Sequence, residues 1–97
     1  MVAIGVLTLY LRLPGCASLK EKRSRLKPLL ARLPREFNLS AAEIDQQDLW
    51  HAAVIACAVI SSDHGQVQRA LETVRGWIEK NWPDIEIYDD RIELLGP

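Results

Sequence analysis

The chain opens on a run of apolar residues, Val2 to Leu13, that carries no charge before Arg12. Read in steps of two, Val2, Ile4, Val6 and Tyr10 share one side, and Ala3, Leu7, Leu9 and Leu11 the other. A strand apolar on both sides is a central one, covered on both faces. Pro14-Gly15 stops it. From Ser18 to Phe37 the period changes to three-to-four, with Leu19, Leu26, Leu29, Leu30, Leu33 and Phe37 forming one helical stripe. Ser18 and Glu21 make a capping box at its start. Pro28 predicts a kink or break, because it removes a ladder bond and crowds the Ser24 carbonyl, and Pro34 predicts the end or a distorted last turn.

Asn38 to Asp45 has the mixed polarity of an edge strand, and Asp45-Gln46-Gln47-Asp48 is a polar break that reads as a hairpin or bulge without glycine. Leu49 to Ser61 is a second buried strand with small residues at Ala52, Ala53, Ala56 and Ala58. Asp63 to Trp82 is a second helix, capped by Ser62 or Asp63, with its stripe on Val67, Ala70, Leu71, Val74 and Ile78. Ile85 to Leu95 is the last strand, and Asp89-Asp90 marks a bulge or bend.

The order β-α-β-β-α-β predicts an α+β fold in one domain, residues 1–97. It is the ferredoxin-like sandwich: a four-stranded antiparallel sheet, order 4-1-3-2, with both helices on one face. That arrangement leaves the other sheet face without cover, although the first strand is apolar on both sides. A contiguous apolar patch of this kind marks a binding surface. Self-association into a dimer through Val2, Ile4, Val6 and Tyr10 is therefore expected; the competing reading has Tyr10, Trp50 and arginine side chains lean over the face and screen it.

Composition limits the remaining possibilities. With 97 residues, 48% hydrophobic and 26% charged, the chain has the make-up of a globular protein and of neither a disordered nor a repetitive one. The longest run without Asp, Glu, Lys or Arg, Leu49 to Ser62, is too short for a membrane span. No secretory signal is recognised at the N-terminus, which places the expected location in the cytoplasm and both cysteines, Cys16 and Cys57, in the reduced state. Neither these nor His51 and His64 have metal-ligand spacing, and no cofactor motif is visible, so no metal and no cofactor are expected.

The net charge of −1 hides a division. Residues 1–36 hold eight Lys and Arg against two acids, a balance of +6, while residues 37–97 hold four against eleven, a balance of −7. Five cations, Lys20, Lys22, Arg23, Arg25 and Lys27, crowd the first turns of the first helix. The helix dipole disfavours cations there. A local cost without structural gain points to function, and free N–H groups beside Lys and Arg bind phosphate. The competing reading is a solvated basic face balanced by the acidic half. Cys16 beside these cations lacks a neighbouring base, so an inert thiol outweighs a catalytic one. Asp45, Gln46, Gln47, Asp48, Trp50 and His51 form a polar-aromatic cluster that reads chiefly as a solvated turn. Trp50 to Cys57 does not match the aromatic signature by which nucleic-acid modules of this architecture stack bases, so RNA would be met through phosphates.

Val6-Leu7-Thr8-Leu9, Pro14-Gly15, Ser18-Leu19-Lys20-Glu21-Lys22-Arg23, Glu43-Ile44-Asp45-Gln46-Gln47-Asp48-Leu49-Trp50 and Ile92-Glu93-Leu94-Leu95 together resemble the DUF503, or YlxP-like, family of small bacterial proteins of unknown function. The resemblance spans nearly the whole chain and implies a ferredoxin-like fold in a bacterial cytoplasmic protein. It also implies genes near those of translation initiation and ribosome maturation, which tilts the expected partner towards RNA or the ribosome. It supplies no catalytic residues, and Cys16 and Gln46 stand where it implies other residue types. The leading expectation is a non-enzymatic module that meets RNA or the ribosome through the basic first helix. The alternatives are a homodimeric scaffold without nucleic acid and a small enzyme for a phosphorylated ligand.

Overall fold

A computed structural model describes residues 1–96, so Pro97 of the expected 1–97 domain lies outside the described residues. The elements run β1 (Ala3–Arg12), α1 (Leu19–Phe37), β2 (Ser40–Asp45), β3 (Ala52–Ser61), α2 (His64–Asn81) and β4 (Glu86–Leu95). All strand pairs are antiparallel and the sheet order is β2-β3-β1-β4, the expected ferredoxin-like arrangement read from the other edge. β1 pairs along its full length with β3, Ala3 opposite Ser61 and Arg12 opposite Ala52.

Alternation sorts β1 as its sequence requires. Ala3, Leu7, Leu9 and Leu11 are buried beneath the helices, where they meet Leu26, Leu29 and Leu33 of α1 and Val67, Leu71, Val74 and Ile78 of α2. Gly5 occupies the same side because α2 crosses there at backbone distance. A Cβ at Gly5 would collide with Val67 Cγ1 and lie 2.7 Å from Leu71 Cδ1. The two helices also meet through Phe37 and Trp77, edge to face with centroids 5.2 Å apart.

Several features differ from expectation, beginning with β2, which starts at Ser40 instead of Asn38 because Asn38 caps α1. α1 runs unbroken through Pro28 and Pro34 to Phe37. Pro28 sits on the exposed side, where water can satisfy the Ser24 carbonyl that loses its helical donor. The helix closes instead on Asn38, left-handed at φ 52°, whose N–H bonds to the Pro34 carbonyl. β3 starts at Ala52, because Leu49 and Trp50 are exposed in the turn despite being apolar. The bulge in β4 falls one residue early: the register shifts opposite Tyr10 and Leu11, leaving Tyr88 as the extra residue.

The close approach at Gly5 yields a test. Gly5→Ala is expected to cost roughly 1–3 kcal/mol of stability, because the added methyl meets packed side chains of α2. Urea unfolding followed by tryptophan fluorescence measures it, and an unchanged midpoint would contradict this packing.

Candidate functional site

The basic segment begins where β1 ends. Gly15 takes φ 76°, a conformation costly for other residues, and returns the chain towards the sheet. Ser18 is extended and caps α1: its Oγ accepts the Glu21 N–H at 3.1 Å. Glu21 reaches back one residue further than the usual box and accepts the Ala17 N–H at 2.9 Å. This cap fixes the helical phase and with it the direction of each of the five cations that follow.

Lys22 points inward, which corrects the expectation that it faces water. It is 1% exposed. Its spacing from Leu19 and Leu26 puts it on the buried stripe. Its ammonium donates to the carbonyls of Gln46 at 2.8 Å and Leu49 at 2.7 Å, and pairs with Glu43 Oε2 at 2.6 Å. Two hydrogen bonds and one close carboxylate thus surround the ammonium, the kind of pairing under which a buried charge is tolerated. The turn between β2 and β3 is shaped to supply them. Gln46 is left-handed at φ 58°, its N–H held by the Asp45 carboxylate at 2.8 Å, and its carbonyl also accepts the Leu49 N–H. Lys22 is consequently unavailable to an outside anion.

Arg25 is also engaged within the fold. Its guanidinium donates to the Pro14 carbonyl, the Asp84 carbonyl and the Asp84 carboxylate, clamping the turn after β1 to the loop before β4. The remaining three face water, as expected. Lys20, Arg23 and Lys27 are exposed, and their side chains make no ion pair or hydrogen bond among the described residues. At i, i+3 and i+7 they line one outer edge of α1, neighbours roughly 5–6 Å apart. Arg23 and Lys27 also border an open groove of about 450 Å³ between α1 and β2, lined by Leu26, Leu30, Ala31 and Glu43. On the opposite flank of α1, Arg32 stacks over Trp77 and Trp82, 5.2 and 5.1 Å from their ring centres.

The other candidates stay apart from this surface. Cys16 is buried, with its Sγ 3.5 Å from the Ser18 carbonyl. Cys57 lies inside β3, where burial pushes its thiol up to about 11. Among the described residues no group of three or more His, Cys, Asp or Glu gathers to hold a metal, and no helix is long and apolar enough to cross a membrane. Trp50 meets His51 edge to face at 6.1 Å, both exposed at the turn.

The family model described as "Protein of unknown function (DUF503)" matches residues 4–92. The chain belongs to this family. It is 41% identical over 69 residues to the "Uncharacterized protein YlxP" of Bacillus subtilis (strain 168), across 71% of this chain and 74% of that protein. Among solved structures it is similar to "De novo designed protein Foldit4", with a TM-score of 0.57 at 13% identity, covering 100% of this chain and 99% of that one. The second likeness concerns the fold alone.

Two outcomes are expected of the internal groups. Lys22→Ala leaves Glu43 and two carbonyls without their cation and is expected to cost about 3 kcal/mol or more. Adding Glu43→Gln should recover part of that loss in urea unfolding, whereas additive losses would show the two groups uncoupled. Cys57 is expected to resist thiol reagents at pH 8 until the protein unfolds. Since its folded value lies above the ordinary 9.0, its contribution to stability is constant below pH 9 and declines as pH rises towards 11. Rapid labelling of both thiols in the native state would contradict this burial.

Proposed function

We propose that the protein is a non-enzymatic binding module that holds RNA by its phosphates along the outer edge of α1, through Lys20, Arg23 and Lys27. The observation that carries this reading is that these three cations stand in line, in water, with no carboxylate partner among the described residues, from the first turn of α1 to its middle. The two neighbours that lie beside them in sequence, Lys22 and Arg25, are matched by acceptors within the fold. Cations retained at a cost and left unmatched suit a polyanion. The spacing of the stripe is commensurate with successive phosphates of one strand. α1 carries no aromatic residue before Phe37, so the stripe itself offers phosphate contacts and no ring for base stacking.

The reading sets a measurable salt dependence. Three phosphate contacts predict that log K falls against log salt with a slope of about −2 to −3. Each of Lys20→Ala, Arg23→Ala and Lys27→Ala should reduce the slope by a little under one unit, and the triple variant should abolish retention at moderate salt. Fluorescence anisotropy of a labelled single-stranded RNA, titrated at several KCl concentrations, measures both. Affinity indifferent to salt, or to the triple substitution, would overturn the proposal.

A further inference from the structure

The groove between α1 and β2 joins the cation stripe to chemistry that phosphate binding leaves unused. One wall is a face of α1 made by Arg23, Leu26, Lys27, Leu30 and Ala31, and Glu43 of β2 stands against it. Its volume of about 450 Å³ falls in the ~300–1,000 Å³ range of small-ligand sites. Such sites are mostly apolar and take their specificity from a few placed polar groups. Here the leucines and Ala31 supply the apolar part, and Glu43 is the one acceptor among the lining side chains.

Glu43 is only half used by the fold. Its Oε2 is enclosed and faces the Lys22 ammonium at 2.6 Å, while the side chain as a whole stays 20% exposed. Neither Arg23 nor Lys27 pairs with it, and among the described residues Lys22 is its one ionic partner. Oε1 is therefore left at the groove without a donor. Lys22 offsets the carboxylate charge, so the field over the groove is set by Arg23 and Lys27 and attracts a phosphate.

An acceptor beside an apolar slot suits a flat ring that carries N–H donors on its edge. Among the RNA bases, guanine has two adjacent donors, N1–H and the N2 amine, on its Watson–Crick edge. Adenine and cytosine set a ring-nitrogen acceptor beside their amino group, and uracil flanks its N3–H with two carbonyls. An acceptor turned towards a carboxylate oxygen repels it, so guanine alone meets Oε1 with donors only.

We propose that the groove holds one guanine of an RNA strand. The base lies against Leu26, Leu30 and Ala31 and donates its N1–H and N2–H to Glu43 Oε1, while Arg23 and Lys27 hold the adjoining phosphates. Lys22 is a positioning residue: it draws Glu43 inward and so keeps it from pairing with either cation. This inference rests on the RNA reading and adds to it a base preference that the stripe itself does not have.

Fluorescence anisotropy of short labelled RNAs tests it, comparing oligouridylate with the same strand carrying one central guanine, adenine, cytosine or inosine. The single guanine should raise affinity about tenfold, the size of one good base contact. Adenine and cytosine should change it by about twofold at most, and inosine, which keeps N1–H but lacks the N2 amine, should fall between. Glu43→Gln should remove most of the guanine preference without weakening oligouridylate binding or its salt dependence. Since Glu43 also pairs with Lys22, circular dichroism must show that this variant folds. Ala31→Leu, at an exposed position of α1, fills the groove without touching that pair and should remove the same preference. Guanine and uridine strands bound equally, with the salt dependence intact, would overturn this inference and leave the phosphate reading standing. Failure of every strand to bind would overturn both. A guanine preference that survives both variants would overturn it by placing the base elsewhere, as would an oligoglutamate peptide that binds more tightly than the guanine strand and loses affinity in Ala31→Leu.

Discussion

The Lys22 ammonium holds the β2–β3 turn against the start of α1, and the placement of the candidate surface depends on it. Removing an ammonium from water costs several kcal/mol, and only close, complete pairing offsets that cost. Here the carbonyls of Gln46 and Leu49 each accept an N–H, and the Glu43 carboxylate supplies the opposite charge. An apolar residue in the same place could fill the space without constraining the turn. The lysine demands that two carbonyls three positions apart in sequence, 46 and 49, converge on one point. Gln46 is held left-handed to meet that demand. The first helical turns are thereby fixed in rotation, and Lys20 and Arg23 are fixed with them.

The cations of α1 divide by this criterion. Lys20 and Lys22 sit in the first turn, at the positive end of the helix dipole, each at a cost of a few tenths of a kcal/mol, while Arg23, Arg25 and Lys27 follow in the next two turns. For Lys22 and Arg25 the cost is offset by backbone and carboxylate oxygens that join α1 to the β2–β3 turn and the α2–β4 loop. Lys20, Arg23 and Lys27 have no such compensation, and the fold would be served as well by neutral residues. The basic N-terminal balance of +6 is therefore two different things: part of it is internal glue, and the rest is surface charge.

Much of the fold was legible because β1 and the two helices follow their periods closely. The sides of β1 separate as Ala3, Leu7, Leu9 and Leu11 against Ile4, Val6 and Tyr10, with Thr8 on the second side the one residue there that is also buried. What escaped reading was polar chemistry in apolar places. Lys22 lies on the stripe by spacing, at 19, 22, 26, 29 and 33, yet lysine is so rarely buried that its identity outweighed its position. Glu43, turned inward on an edge strand, was the complementary signal, since a carboxylate facing a core calls for a cation. Gln46 gave no warning, because a left-handed residue other than glycine leaves no compositional mark. Leu49 and Trp50 extended the apparent strand because hydropathy does not distinguish an exposed turn from a buried one.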